Sequence, residues 1–154
     1  MLNETEEQRD ERFMFMALEE ARAAFDAGEI PIGAVIVVNN RVIARGHNLT
    51  ETLCDVTAHA EMQAITAAEN ALGGKYLPEC TLYVTVEPCP MCAGALGWSQ
   101  IGRIVYGASD PKKGMFSFYD PKRLPIHPKT KITSGVLAAD CTALMTDFFR
   151  RLRK

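Results

Sequence analysis

Apolar residues in the first part of the chain recur at the spacing of a helix and then at that of paired strands. The helical stripe comprises Met14, Leu18, Ala21 and Phe25. Gly28 follows this stripe and predicts the end of the helix. The unbroken apolar run 34–38 is typical of a strand buried on both faces. Asn39 and Asn40 then favour a tight turn, so residues 41–45 are predicted to return as the second strand of a hairpin.

The middle of the chain continues this alternation of helix and strand. Residues 58–72 have helical periodicity, and Gly73 predicts where that helix ends. The face expected to pack inwards comprises Ala58, Met62, Ile65 and Leu72. Residues 81–86 form a clear strand pattern. Pro88 and Pro90 then introduce a short helix, because proline suits the first helical position. That helix is expected to run through Met91, Ala95 and Trp98.

The last third combines a short strand at 104–106, an irregular stretch and a final helix. The stretch 108–133 contains Gly114 and four prolines, so it is predicted to be largely loop. A loop of this length in a compact domain is usually functional or mobile. The final helical stripe comprises Cys141, Leu144, Met145, Phe148 and Leu152. The whole pattern predicts one domain over residues 1–154, an α/β fold with a three-layer α/β/α sandwich around a mixed sheet.

The composition is that of a globular protein. Apolar residues make up 47% of the 154 residues and charged residues 23%, which excludes a disordered or low-complexity chain. No apolar run approaches the roughly 18–20 residues that a membrane span needs. The acidic, polar N-terminus does not resemble a secretory signal, so we expect a cytoplasmic protein. The formal net charge of −2 by itself weakly disfavours nucleic-acid binding.

The net charge conceals an uneven distribution. Acidic side chains outnumber basic ones over residues 1–102, whereas eleven basic and four acidic side chains lie within 103–154. The basic residues at the end of the chain are Arg150, Arg151, Arg153 and Lys154. Two interpretations stay open: these charges stabilise the end of a helix, or they bind an anionic partner.

The five cysteines divide into two groups. Their number is odd and no export signal precedes them, so a disulfide framework is not expected. Cys54, Cys80 and Cys141 are interpreted as small buried hydrophobic residues. Cys89 and Cys92 lie three residues apart at a predicted strand-to-helix turn, where both thiols can face one point.

His59 combines with this cysteine pair to predict a metal site. One imidazole and two thiolates are good ligands for zinc, which is usually four-coordinate, and three protein ligands leave one position open for water. Glu61, two residues after His59, is placed to act as a general acid and base beside that position. A Cys-x-x-Cys pair alone is equally compatible with a redox or structural role. The combination of His-x-Glu with Pro-Cys-x-x-Cys about 30 residues later is far more specific, and it matches the signature of zinc nucleobase deaminases.

The chain resembles the cytidine and deoxycytidylate deaminase superfamily over nearly its whole length. The resemblance covers the Gly-Glu-Ile-Pro segment at 28–31, the Gly-His-Asn turn at 46–48, both zinc segments, and the stretch 101–108. The Gly-Glu-Ile-Pro segment and the Phe-Phe-Arg at 148–150 point to the branch that acts on adenosine in tRNA. The resemblance therefore implies a cytidine-deaminase-like fold with five strands, and hydrolytic deamination of adenosine to inosine at the wobble position of an anticodon.

The same resemblance implies roles for individual residues. His59, Cys89 and Cys92 would hold one Zn²⁺, with no organic cofactor, and Glu61 would move protons. Asn48 would bind the purine, although its sequence context alone is that of an ordinary turn residue. The backbone of Ala60 would lie near the base, and Asp110 near the sugar of the target nucleotide. The superfamily further implies a homodimer in which the neighbouring subunit completes the pocket, with tRNA as partner and no membrane association.

The sequence departs from the family pattern in the stretch 115–131. This stretch contains the aromatic residues Phe116, Phe118 and Tyr119 beside several lysines and arginines. The aromatic rings could stack on bases or pack the loop down. Because this stretch would border the substrate entrance, a deaminase of a free nucleoside or base (cytosine, guanine or adenine) stays an alternative. A non-catalytic, zinc-stabilised RNA-binding subunit is a third hypothesis, which the presence of Glu61 disfavours.

Overall fold

The computed structural model describes residues 3–153, so Lys154 of the basic C-terminal group lies outside the described residues. The helices are α1 (Glu6–Asp26), α2 (Ala60–Leu72), α3 (Pro90–Ser99), the one-turn α4 (Met115–Phe118) and α5 (Ala138–Leu152), with a 3₁₀ turn at Pro121–Arg123. The strands are β1 (Gly33–Val38), β2 (Arg41–His47), β3 (Thr81–Val86), β4 (Arg103–Ala108) and β5 (Lys131–Thr133).

The five strands form one mixed sheet in the order β2-β1-β3-β4-β5. Strand β1 pairs antiparallel with both β2 and β3, whereas β3, β4 and β5 run parallel to one another. Asn39 and Asn40 have positive φ angles of 49° and 63°, which gives the hairpin turn the twist that antiparallel strands require. The predicted fold class, an α/β/α sandwich with a mixed five-stranded sheet, is confirmed.

The unbroken apolar run of β1 contributes side chains to both hydrophobic cores, because alternate side chains point to opposite faces of a sheet. Ala34 and Ile36 pack with α2 and α3 on one face. Val35 and Val37 pack with α1 and with Cys141 of α5 on the other. The sheet is therefore covered by helices on both sides, as continuous apolar strands require.

A buried polar group fastens α1 to the sheet. The carboxylate of Asp10 accepts two hydrogen bonds from the Arg103 guanidinium, at 2.8 and 2.7 Å, and a third from the Tyr83 hydroxyl at 2.7 Å. Asp10 is only 5% exposed, so this arrangement supplies the partners that a buried charge needs. Burial alone would raise the pKa of Asp10, but the hydrogen bonds from Arg103 and Tyr83 outweigh that effect and hold the pKa below its ordinary value.

The predicted long loop at 108–133 is wrong in part. The segment contains α4, the 3₁₀ turn and β5, which pairs with β4 through Ile132. Tyr119, Leu124 and Ile126 pack against the core between the sheet and α2/α3, so the segment is anchored by apolar contacts. Gly97 permits this packing, because a Cβ at that position would overlap the carbonyl of Pro125.

The predicted apolar stripes of α2 and α5 are each wrong at one end. Leu72 is 49% exposed, since α2 buries the smaller Ala64 and Ala68, and Leu152 of α5 is 64% exposed. Cys80 and Cys141 are buried as predicted, but Cys54 is exposed. None of the helices within residues 3–153 is long and apolar enough to span a membrane.

Candidate metal centre and pocket

The ends of two helices bring His59, Cys89 and Cys92 together. His59 is the N-cap residue of α2, Cys89 is the N-cap residue of α3, and Cys92 lies in the first turn of α3. The Nδ1 atom of His59 lies 3.6 Å from Sγ of Cys89 and 3.4 Å from Sγ of Cys92. Neither N-cap side chain is used to cap its own helix, so both are free to face the same point.

This cluster has the donor set of a zinc site. The three ligand atoms lie within 4.8 Å of one another, and within residues 3–153 no fourth histidine, cysteine, aspartate or glutamate joins the group. One imidazole and two thiolates suit Zn²⁺, and a three-ligand site keeps one position open, as catalytic zinc sites do. The structure thus brings the three predicted ligands together and places Glu61 outside their group.

The ligand side chains of the cluster have pKa values that are shifted in different directions. A hydrogen bond from the Cys92 thiol, assisted by one from His59, lowers the pKa of Cys89 to about 4. The same pairing, together with burial, raises the pKa of Cys92. Hydrogen bonding to Cys89 also raises the pKa of His59. The N-termini of α2 and α3 favour negative charge at this point, so the cluster presents a preformed thiolate to a cation.

Glu61 lies beside the cluster in the first turn of α2. It is 4% exposed, yet it lines the cavity that His59 and Cys89 also line. Burial raises the pKa of Glu61 to about 7, and negative charge at Cys89 adds to the shift. A carboxyl group with a pKa near neutrality can both accept and donate a proton, which is what general acid–base catalysis requires.

The cavity has a volume of about 640 Å³ and draws its walls from six segments of the chain. Of the seven predicted site residues, Cys92 is fully buried and the other six line the cavity. Ile30 and Ile32 before β1 also line it, and α5 contributes four residues. The α5 residues are Thr142, Met145, Thr146 and Phe149. A space of this size, with apolar walls and a few polar groups, suits a purine-sized ligand.

One wall is held by a buried carboxylate that sequence reasoning did not single out. Glu29 accepts the N–H of Glu51 at 3.0 Å, and both the N–H and the hydroxyl of Thr52 at 2.6 Å. Asn48, in the same wall, is 5% exposed, and its side-chain oxygen accepts the N–H of Thr50 at 3.3 Å. The wall that carries Asn48 is therefore fixed by side-chain acceptors.

Another part of the wall comes from the rim segment, which we define as residues 109–118 and of which residues 109–113 line the cavity. Asp110 lies at its start, and its Oδ1 atom accepts the N–H groups of Lys112 at 3.1 Å and Lys113 at 3.0 Å. Both lysines line the cavity. Asp110 thus stabilises the turn that presents two positive side chains at the cavity entrance.

Comparison with known proteins assigns the chain to a family. Residues 8–153 match the MafB19-like deaminase family, which is nearly the whole chain. The chain belongs to this deaminase family.

Two similar proteins show which members of the deaminase family this chain resembles. The tRNA-specific adenosine deaminase of Bacillus subtilis (strain 168) is 46% identical over 150 residues, which are 95% of this chain and 92% of the relative. A solved structure from work on A-to-I editing by tRNA:A34 deaminases at the wobble position of transfer RNA is 45% identical, with a TM-score of 0.79. The match covers 86% of this deaminase and 98% of that chain.

A third similar protein is named for a different class of substrate. The solved guanine deaminase of Nitrosomonas europaea is 25% identical to this deaminase, with a TM-score of 0.75. The match covers 96% of this chain and 86% of that one. The fold is thus shared between proteins named for tRNA and for a free base, so the substrate must be argued from more than the fold.

The pocket residues that sequence reasoning missed lie mainly in α5 and before β1. The helical stripe of α5 marked Met145 as a core residue, but Phe149, next to the predicted core position Phe148, turns towards the cavity. Ile30 belongs to the Gly-Glu-Ile-Pro segment at 28–31, which served only as a mark of resemblance, and Ile32 directly follows that segment. Nothing in the deaminase's local sequence indicates that these two distant segments share one cavity.

Proposed function

We propose that this enzyme hydrolytically deaminates adenosine to inosine in tRNA, at the wobble position of the anticodon. The observation that carries the proposal is the 46% identity, over almost the full length of both chains, with a tRNA-specific adenosine deaminase. The guanine deaminases of the same fold match less closely or over less of the chain: that of Nitrosomonas europaea is 25% identical, and that of Bacillus subtilis is 44% identical over only 64% of this chain. The site residues are compatible with either chemistry, because both reactions replace an amino group on a purine ring by oxygen.

In the proposed reaction, His59, Cys89 and Cys92 hold one zinc ion. When bound, zinc activates a water molecule for attack on carbon 6 of adenine. The buried Glu61 carboxylate would accept one proton from the attacking water and deliver it to the ring nitrogen. It would then move the second proton, from the new hydroxyl group at carbon 6, to the departing amino group. Ammonia leaves, and inosine remains in the RNA. An anticodon loop is already partly unstacked, so placing the target base in the cavity costs less than it would from a duplex.

Three further residues are proposed to position the nucleotide. Asn48, at the cavity wall beside Ile32 and Thr50, would hydrogen-bond the purine. The backbone of Ala60, between His59 and Glu61, would lie near the base. Asp110, in the rim segment, would contact the sugar of the nucleotide, and a contact to the 2′-hydroxyl of that sugar would favour RNA over DNA.

The surroundings of the cavity support an RNA substrate. Lys112 and Lys113 line its entrance, and the exposed Arg150, Arg151 and Arg153 follow at the end of α5. Lysine and arginine side chains that neutralise phosphates make RNA affinity fall steeply with salt. With tRNA as its substrate, the enzyme would act in the cytoplasm.

We also propose that two copies of the chain associate, with the neighbouring subunit completing the pocket. Large apolar side chains that are mostly exposed in residues 3–153, among them Val56 at 85% and Trp98 at 86%, support an interface of this kind. Light scattering during size-exclusion chromatography tests the oligomeric state. A mass of one chain at micromolar concentration would contradict the dimer.

The decisive experiment compares substrates side by side. The enzyme is incubated with an anticodon stem-loop RNA that carries adenosine at the wobble position, and separately with free adenosine, cytidine and guanine. Inosine in the RNA, released ammonia and RNA binding that weakens steeply with salt are expected. Conversion of guanine to xanthine without RNA turnover would instead favour the free-base enzyme. RNA binding without turnover of any substrate would favour the non-catalytic subunit.

A further inference from the structure

Glu87 is a buried carboxylate that the proposed chemistry does not use. It directly follows β3, and only Pro88 separates it from Cys89. Its own N–H donates to the carbonyl of Ala108 at 2.8 Å, and the residue is 7% exposed. Among residues 3–153 it takes part in no ion pair. A carboxylate in such a position must obtain its stabilisation from hydrogen bonds.

The partners of this carboxylate are backbone amides of the rim segment. The N–H of Asp110 donates to Oε1 at 3.2 Å, and the N–H of Phe116 donates to Oε2 at 3.0 Å. Gly114 lies so close that a Cβ there would overlap Oε2. Hydrogen bonds to a charged acceptor are roughly twice as strong as neutral ones. The rim segment is therefore folded around the carboxylate of Glu87.

A backbone hydrogen bond at Pro88, next to Glu87, also holds the rim segment. The carbonyl of Pro88 accepts the N–H of Met115 at 2.8 Å. Two consecutive residues before Cys89 thus hold the rim segment from the side of the metal centre. The pairing of β3 with β4 brings the start of the rim segment beside Glu87, and these contacts then hold the rest of the segment, including the turn with Lys112 and Lys113, next to the metal ligands.

We propose that Glu87 is a positioning residue for the substrate. Its carboxylate holds the rim segment at the distance from the metal centre at which Asp110 and the two lysines meet the nucleotide and its flanking phosphates. It touches neither the metal nor the reacting atoms. This role rests on the proposed function, because the substrate is taken to be an RNA that reaches from the metal centre to the rim segment.

The first test replaces Glu87 by glutamine. Glu87→Gln keeps the size of the side chain but turns an N–H₂ group towards one of the two amides. We expect the KM for the anticodon stem-loop to rise about tenfold, which corresponds to the loss of one charge-assisted hydrogen bond. We expect kcat to stay within about threefold and zinc to stay at one ion per chain, as the metal ligands are not altered. The exposed Glu79→Gln, at the other end of β3, is the control for the lost charge.

A second pair of variants keeps the proposal testable if Glu87→Gln does not fold. Phe116→Pro removes one donor to Glu87, and proline is tolerated in the first turn of a helix such as α4. Phe116→Ala removes the same ring but keeps the N–H. The KM is expected to rise several-fold more in Phe116→Pro than in Phe116→Ala, since only the former loses the hydrogen bond to the carboxylate.

The outcomes separate this proposal from the proposed function. An unchanged KM in Glu87→Gln, or equal KM values for the two Phe116 variants, would overturn the positioning role. A loss of zinc that parallels the loss of kcat would also overturn it, because Glu87 would then support the metal centre. Absence of inosine with the unmodified enzyme would contradict the proposed function instead. In that case direct RNA binding by each variant, measured without turnover, still tests whether Glu87 positions the rim segment.

Discussion

The metal centre and the rim segment are two sides of one cavity that are built in different ways. The metal centre rests on regular structure: His59 and Cys89 are the N-cap residues of α2 and α3, and the sheet and both cores hold those helices. The rim segment has one helical turn of its own, and it is held by one fully buried side chain, Met115, and by backbone amides that donate to Glu87. One side of the cavity is therefore fixed by whole helices, and the other by one apolar anchor and a few hydrogen bonds.

The difference indicates how the two sides can vary. A metal ligand at the N-cap of a helix cannot shift unless the helix moves, so the chemistry is tightly constrained. A segment held by a few hydrogen bonds can change its length and sequence while its anchoring carboxylate stays in place. Proteins that share this fold can thus keep one reaction and present different walls to different substrates.

Metal removal is expected to have the largest effect, and it tests whether the metal centre is preformed. Dialysis against a chelator should abolish deamination, and one equivalent of Zn²⁺ per chain should restore it. Since helices position the ligands, the metal-free protein should keep its far-ultraviolet circular dichroism spectrum. Turnover by protein shown to be free of metal would contradict the assigned site. Loss of the helical spectrum on chelation would instead show that the metal organises the helices.

Glu61→Gln should have the next largest effect and should act on the chemical step alone. The variant cannot transfer protons, so kcat is expected to fall by about 10³-fold, within the range of general acid–base catalysis. Zinc content and RNA affinity should not change, because Glu61 is outside the ligand group. Glu69→Gln, two turns further along α2, is the matched control. Substantial turnover by Glu61→Gln would exclude its role as the proton shuttle.

Asn48→Ala tests the cavity wall that the side-chain acceptors Glu29 and Asn48 hold in place. If the Asn48 side chain binds the purine, its removal should reduce kcat/KM by about tenfold, the effect of one lost hydrogen bond in a closed pocket. The exposed Asn70→Ala serves as the control, and metal content should be equal in both. An unchanged kcat/KM would leave Asn48 with only its structural bond to Thr50.

Asp10→Asn should leave catalysis unaffected and reduce stability instead. Removing one member of a buried ion pair costs about 3 kcal/mol in free energy of unfolding. The pKa of Asp10 is held below its ordinary value of 3.8, so its stabilising contribution is present above that pH and is lost as the pH falls through the folded-state pKa. Urea unfolding should therefore show a large difference between Asp10→Asn and the unmodified protein at pH 7, and a smaller one near pH 3.

Glu6→Gln provides the contrast for this measurement. Glu6 lies 3.3 Å from the same Arg103 guanidinium, but its side chain is 72% exposed. An exposed ion pair contributes little, so the variant should lose less than about 1 kcal/mol. An equal decrease in the free energy of unfolding in Glu6→Gln and Asp10→Asn would show that burial does not determine how much each ion pair with Arg103 contributes. A catalytic defect in Asp10→Asn would show that the ion pair between Asp10 and Arg103 also affects the cavity.

The cluster of His59, Cys89 and Cys92 could be predicted from the sequence because metal chemistry restricts the residue types. Few arrangements other than a zinc site combine His59 and Glu61 with Cys89 and Cys92 at this spacing, and the strand-to-helix turn could be located from Pro88. The hairpin at Asn39 was predictable for a similar reason, since asparagine tolerates the positive φ that the turn requires. In each case a local physical requirement appears directly in the sequence.

The rim segment and the helix faces were not predictable in the same way. Strand β5 has three residues and follows a proline-rich stretch, so no periodicity marks it. Helix α2 turns small alanines to the sheet, and a search for large apolar residues therefore selected Leu72, which is exposed. Glu87 acts through amides that lie 23 and 29 residues further along the chain, and backbone donors leave no mark on the sequence.

The two edges of the sheet have a consequence for how copies of this chain meet. Strand β2 forms one edge and carries the exposed Arg41 and Arg45, and β5 forms the other with only three residues and the exposed Lys131. Charged side chains and short edge strands disfavour strand-to-strand pairing between molecules. The sheet is thus protected against extension into a larger one, and with it against the most direct route to fibrous aggregation. Self-association is expected to use helix and loop surfaces, which leaves the backbone hydrogen bonds of the sheet within a single chain.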